Sequence, residues 1–314
     1  MKTCFLILLF LSFGLLQVNL SAGPKVASEY AETVEKLESL YEIEDKMNYE
    51  TGSIQIAGVG TLNVPAGFRF LGAEQSAYVL KDVWENLQSK TDGMLFTKDA
   101  SLLGDDGYSI NLKFTPAGYV SDELAGDINF DDILVEMKSK NSRVNKLREE
   151  KGMFPVELTS WADDPFYDKA ERRLHWSKKL KYDLGGDAVV GLNYAIRFLG
   201  RTGFLEMNFV GRMDQLDRIK KDVSLVLSSW KFNDGFRYEE FDPKSDKVAA
   251  MDVEGLMIGG SKTPKVQPEV PTTESTEASD SSSSSSWISK IWPFLLLALI
   301  TFLGMFIVSS RRKK

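Results

Sequence analysis

The chain has 314 residues, with 38 Lys and Arg against 45 Asp and Glu, one histidine and one cysteine, and a net charge of −7. That balance disfavours nucleic acid as a partner. One Cys and one His exclude a multi-cysteine or multi-histidine zinc centre and an internal disulfide.

The N-terminus, "MKTCFLILLFLSFGLLQVNLSAG", has one early charge at Lys2, an apolar middle and small residues before Pro24. This is the layout of a secretory signal, expected over residues 1–22, with cleavage after Ala22 or Gly23. Cys4 lies inside it and leaves with it. The following "EYAETVEKLESLYEIEDK" places Tyr30, Val34, Leu37 and Tyr41 on one helical face. "GSIQIAGVGTLNVPAGFRFL" alternates as a hairpin, turning at "AGVG". "EQSAYVLKDVWENLQ" predicts a helix with Ala77, Leu80, Val83 or Trp84, and Leu87 inward.

"GMLFTK" and "YSINLKFTPAGYV" predict strands, and "FDDILVEMKSKNSRVNKLREEKG" a helix with Asp131 or Asp132 in its first turn and Gly152 at its stop. Two strands are expected around "DPFYDKAERR", with "ADDP" turning before Pro165. "VVGLNYAIRFLGRTGFLEMNFVG" predicts a hairpin turning at Arg201 to Gly203, which puts Ile196, Phe198, Leu205, Met207 and Phe209 on one face. A closing helix covers that face through Leu216, Ile219, Val223, Val226 and Leu227. Mixed order with hairpin connections predicts an α+β fold, an antiparallel sheet with helices packed on it, for an exported domain over residues 23–260.

Residues 261–286, "SKTPKVQPEVPTTESTEASDSSSSSS", lack aromatic residues and predict a disordered tether. Residues 287–314 predict a transmembrane anchor. Ile291 to Val308 carries no charge, Trp287 and Trp292 suit one interface, and Arg311, Arg312, Lys313 and Lys314 mark the cytoplasmic side. The part between signal and anchor then carries 32 basic and 45 acidic residues, a net −13.

Several blocks carry a family resemblance. "LNVPAGFRFLGAEQSAYVLKDVWENL", "GMLFTKDASLLGDDGYSINLKFTPAGYVSD", "WADDPFYDKAERRLHWSKKL", "LNYAIRFLGRTGFLEMNF" and "GFRYEEFDPKSDKVAAMDVEGLMIGG" resemble the bacterial family of membrane-anchored proteins defined by domain of unknown function 2167, from Tyr30 to Gly260. The resemblance implies an envelope protein with signal and C-terminal anchor, and no activity. The element order, with "VPAGF" opening a strand and "SSWKF" closing the last helix, is similar to that of PsbP-like proteins. That likeness implies an antiparallel sheet between helical layers, and binding of partners rather than catalysis.

Chemistry-bearing residues are sparse. His175 has no neighbour in sequence to orient it as a base, and a lone histidine is more often a hydrogen-bonded structural residue. Asp122, Glu123, Asp127, Asp131 and Asp132 lack calcium-loop spacing and read as caps and loop. Asp163, Asp164 and Asp168 stand among aromatics, so paired-carboxylate hydrolysis is the rival reading. Trp161, Tyr167, His175 and Trp176 are the candidate binding residues; the aromatics among them are core on the plain reading and a ligand surface if exposed. The expectation is a non-catalytic, membrane-tethered binding or assembly module of the cell envelope. It would be single-pass in the bacterial inner membrane, domain outside and C-terminus inside, with an envelope protein partner, no nucleic acid and no cofactor. Deleting residues 261–286 should leave the melting temperature of the domain unchanged, since the segment has no apolar surface to bury. A drop of several degrees in calorimetry would contradict this.

Overall fold

A computed structural model describes residues 42–258, apart from residues 85, 88, 103–106 and 183–188. The expected signal, the helical face from Tyr30 to Tyr41, the tether and the anchor lie outside the described residues. Among the described residues no helix is long and apolar enough to cross a membrane. The chain divides into two units, Met1–Lys46 with Gln267–Lys314, and Met47–Val266. In the first, residues 42–45 form one helical turn.

In the second unit the fold is α+β, built on a large antiparallel sheet. Its strands are β1 (Tyr49–Glu50), β4 (Phe68–Gly72), β5 (Gly93–Thr97), β6 (Ser109–Thr115), β7 (Val156–Asp168), β8 (Arg173–Tyr182), β9 (Val189–Leu199) and β10 (Phe204–Arg212). They stand in the order β1-β4-β5-β6-β10-β9-β8-β7. A second sheet joins β2 (Ser53–Ile56), β3 (Gly60–Asn63) and β11 (Trp230–Phe232), with β3 in the middle. The β2–β3 hairpin turns through Ala57 and Gly58, both at positive φ.

Period-two alternation divides the apolar residues of the sheet between its faces. Ile196, Phe198, Leu205, Met207 and Phe209 are buried on one face, as expected. The closing helix α3 (Leu216–Ser228) covers them with Ile219, Val223 and Val226, and Leu216 and Leu227 pack at the margin. Leu174, Trp176, Ala195, Leu199 and Phe204 face the other way. They meet Ile133 of helix α2 (Phe130–Glu150) and Val253, Leu256, Met257 and Ile258 of the short helix α4 (Val253–Ile258). On that same face, towards the β1 edge, Leu71, Met94 and Phe96 pack with Val79 and Leu80.

Two expectations are corrected. The helix after β4 is α-helical only over Ala73–Tyr78 (α1), then continues as a π-turn over Val79–Val83. The wider turn shifts the phase, so Ser76, Val79 and Leu80 are buried while Leu87 is exposed. Secondly, "ADDP" does not turn. β7 runs on to Asp168, with register shifts between Leu158 and Phe166. Pro165 is tolerated because β7 is an edge strand, where one row of N–H groups has no ladder partner. The ends of α2 are as expected, with Asn129 as its N-cap, whose side chain accepts from the N–H groups of Asp131 and Asp132. Those two acids occupy its first turn, and Gly152 ends it at φ 67°.

Helix α2 also explains how the β7 edge is closed. Val135, Val144 and Leu147 are exposed, whereas Asn141 and Asn145 face inward and are half-buried. Asn145 Oδ1 accepts from Val156 N–H at 2.9 Å and Asn141 Oδ1 from Leu158 N–H at 2.9 Å. Both side-chain amides donate to Val156 C=O, at 2.8 and 3.1 Å. Two asparagines thus stand in for a ninth strand at Val156 and Leu158 and satisfy the start of an edge that would otherwise be sticky. Asn145→Ala should cost about 1–3 kcal/mol by orphaning the Val156 N–H, and should promote concentration-dependent association. Denaturation and sedimentation velocity check this; an unchanged midpoint with a monomer at all concentrations would contradict it.

Candidate functional site

Of the residues singled out in the sequence, Trp161, Tyr167 and Trp176 lie on the α2/α4 face of the sheet and His175 on the α3 face. The register places Trp161 beside Lys178, Tyr167 beside Leu174 and Trp176 beside Ala195, while His175 stands beside Ile196. His175 is 3% exposed. The ring of Phe166 stacks on it at 4.4 Å and 10°, and its Nδ1 is 3.4 Å from the Tyr194 hydroxyl. Burial, reinforced by the positive charge of Arg173, pushes its pKa down to about 4. It is a neutral, sealed imidazole. Trp176 is core, and Trp161 packs half-buried against that core. The indole N–H groups of both lack a partner.

Tyr167 leads elsewhere. Its hydroxyl donates to Asp122 Oδ2 at 2.8 Å, Arg172 Nη1 donates to the same oxygen at 2.5 Å, and the Tyr238 hydroxyl donates to Oδ1 at 3.0 Å. Burial alone would raise the pKa of Asp122, but the three donors outweigh it and hold the carboxyl below its usual range. Burial and the carboxylate push both phenols up, so they remain donors. Tyr119 stacks on Tyr238 at 4.5 Å and on Phe241 at 3.8 Å, which fixes the last member.

This network holds the β7–β8 turn. Asp168 Oδ1 accepts from Ala170 and Glu171 N–H, forming an Asx turn. Arg172 then adopts φ 55°, the left-handed region that costs a side-chain-bearing residue free energy. It is held there at both ends, by Asp122 on its guanidinium and by Leu199 N–H on its carbonyl at 2.9 Å.

Beside the turn is a pocket of about 310 Å³, lined by Arg172, Arg173, Trp230, Lys231, Arg237 and Tyr238, with Phe198 and Phe232 as apolar wall. Trp230 reaches it because Gly60 leaves room: a Cβ there would lie 2.3 Å from the indole. The guanidinium of Arg172 lies 5.0 Å from the Tyr238 ring centre and that of Arg173 5.2 Å from that of Phe198. Each arginine meets an acid: Arg172 through Nε with Glu239 at 3.8 Å, Arg173 with Glu171 at 2.7 Å, and Arg237 with Asp234 and Glu240. Arg172 Nε, Arg173 Nε and Trp230 Nε1 are buried with no hydrogen-bond partner. In two other clefts Arg218 is paired with Asp99, Asp222 with Tyr108, and Arg212 with Asp214.

The sequence-predicted carboxylates are used singly. Asp163 Oδ2 meets Lys220 at 2.6 Å, Asp168 caps the turn, and Asp164 is exposed. Among the described residues no three His, Cys, Asp or Glu side chains form a group that could hold a metal. Sequence reasoning missed Asp122, Arg172, Arg173, Trp230 and Tyr238; the paired arginines of "ERRL" were the one local signal.

His175 predicts a pH dependence. Between pH 6.5 and about 4 the unfolded chain binds a proton that the native state refuses, so stability falls as pH falls through that window. The loss is on the order of 3 kcal/mol. In His175→Phe, which keeps a ring under Phe166, denaturant titrations at pH 7 and pH 4 should differ by that much less. An unchanged difference would contradict the assignment.

No curated protein matches the chain. Among solved structures it is weakly similar to the cyanobacterial PsbP of Synechocystis sp. PCC 6803, at 13% identity over 60% of this chain and 92% of that one, with a TM-score of 0.33. It is similar likewise to LpqN of Mycobacterium tuberculosis, described as involved in cell envelope biogenesis, at 12% identity over 62% and 96%, with a TM-score of 0.29. The family described as "Protein of unknown function (DUF2167)" matches residues 48–267, more than two thirds of the 314, and the chain belongs to that family.

Proposed function

We propose that this protein is an exported, membrane-tethered module of the bacterial cell envelope that binds a protein partner through the pocket at the β7–β8 turn, without covalent chemistry. Residues 1–22 act as signal, 23–260 as the binding domain, 261–286 as tether, and 287–314 as a single-pass anchor in the inner membrane. The domain faces the periplasmic or extracellular side and Lys314 the cytoplasm. What supports this topology is the sequence: Lys2 before the N-terminal apolar run, the uncharged stretch from Ile291 to Val308, and the four basic residues after it.

One observation carries the binding reading. Arg172 and Arg173 of a turn fixed through Asp122 line one pocket with Trp230 of β11, and each of the three carries a buried N–H with no hydrogen bond. A preformed pocket with convergent polar groups is a ligand site by default. Of the residues the sequence offered for moving protons, His175 is sealed under Phe166, and Asp163 and Asp168 serve Lys220 and the turn. Paired-carboxylate hydrolysis draws no support from that arrangement.

Two measurements test the proposal. Protease added to intact spheroplasts should remove the domain and spare a tag at Lys314; full protection of the domain would overturn the topology. A photo-crosslinking residue at Lys231, exposed on the pocket rim, should yield a discrete protein adduct in living cells, whereas one at Lys138, exposed on α2, should not. No adduct at Lys231, or equal adducts at both positions, would overturn the binding site.

A further inference from the structure

We propose that the α2/α4 face of the large sheet carries a second binding site, which takes a neutral glycan bearing acetamido groups. The site is separate from the pocket at the β7–β8 turn and does not depend on that reading. Its floor follows from the strand register. Asn111 of β6 pairs with Asn208 of β10, Asn193 of β9 stands opposite Val210 of β10, and Lys178 of β8 stands opposite Asn193. Period-two alternation puts these four side chains on the face that holds Trp176 and Ala195. Each of the four is half-buried, and none makes a hydrogen bond or ion pair with a described residue. The Oδ1 atoms of Asn111 and Asn193 are buried without a partner, so the row destabilises the fold rather than holding it together. Polar side chains in the middle of a sheet, bonded to nothing in the protein, are available to a ligand.

The row adjoins a cavity of about 240 Å³. Ser109 lies two residues before Asn111, Val210 two after Asn208, and Gly191 two before Asn193, and all three line that cavity. Rings form its sides. Trp84 and Phe96, 6.1 Å apart, stand towards β5, and Tyr182 stands at the end of β8. A Cβ at Gly191 would lie 2.6 Å from the Tyr182 ring, so the glycine lets that ring lie over β9. Arg212 is the only charged residue in this lining among the described residues, and Asp214 pairs with it. A glycan matches this arrangement. Sugar hydroxyls both donate and accept, as the primary amides of asparagine do. The C–H faces of pyranose rings suit aromatic walls, and an acetamido group brings a methyl for the cavity and an amide for the row. An anionic ligand is disfavoured. Burial lowers the pKa of the Lys178 amine while Glu206 pulls the other way, and Arg197 is already held by Glu206.

The test uses the full chain in a neutral detergent without a sugar head group, labelled with 15N on asparagine. It is titrated with tetra-N-acetylchitotetraose, with tetraglycine, and with sodium acetate at matched ionic strength. The side-chain amide signals of Asn111, Asn193 and Asn208 should shift together and saturate with the glycan, and not with the peptide or with acetate. Asn208→Ala and Asn193→Ala each remove a side chain that bonds nothing in the protein. Both variants should therefore fold normally and weaken glycan binding about three- to tenfold. Lys231→Ala, at the other pocket, should leave glycan binding unchanged. No saturable shift with the glycan, equal shifts with tetraglycine, saturation by acetate, or undiminished affinity in both folded asparagine variants would overturn the glycan site. Crosslinking at Lys231 can still succeed in each of those cases, and its failure would leave the glycan site standing, so the two readings fail separately.

Discussion

A single buried carboxylate ties together the parts of this fold that are far apart in sequence. Asp122 belongs to the loop after β6. It accepts from Tyr167 near the end of β7, from Arg172 in the β7–β8 turn, and from Tyr238 in the segment after β11. A buried charge with no partner would cost several kcal/mol, so these donors and the carboxylate require one another. The consequence is local. Arg172 is held at φ 55°, and the pocket beside it keeps its shape before any ligand arrives.

The rest of the architecture makes this possible by covering what surrounds it. An antiparallel sheet usually leaves one face to water. Here α3 and the small sheet cover one face, and α2, α4 and the segments around Val120 and Tyr238 pack on the other. Asp122 and Tyr238 therefore sit in the second core rather than on a loose surface loop. The start of the exposed β7 edge, at Val156 and Leu158, is closed by Asn141 and Asn145. Tyr167 and Arg172 then reach the same carboxylate oxygen.

Much of this was legible in the sequence wherever one element decides its own pattern. The two-residue alternation of "IRFLGRTGFLEMNF" and the spacing of Ile219, Val223 and Val226 follow from burial of one face, and the structure buries those side chains. Polar residues with inward jobs were not legible. Asn141 and Asn145 dilute the apolar stripe of α2, because their partners are strand backbone groups and not side chains. Pro165 looked like a turn because the sequence alone does not say which strand lies at an edge. Asp122 was one acid in an acidic run; its donors lie 45, 50 and 116 residues away, and no local rule finds them. The pocket has the same origin, since it joins two turn arginines to a tryptophan of another sheet.

The claim beneath this account is that the Asp122–Arg172 pair holds the site. A double-mutant cycle measures it directly, with Asp122→Asn, Arg172→Gln and the double variant compared by denaturant unfolding at pH 7. Residues in one buried network couple by 0.5–3 kcal/mol, whereas independent sites add within about 0.3–0.5 kcal/mol. The account predicts a favourable coupling of about 2 kcal/mol or more for this pair. Additivity within about 0.3 kcal/mol would contradict it, and the turn would then owe its conformation to the backbone alone.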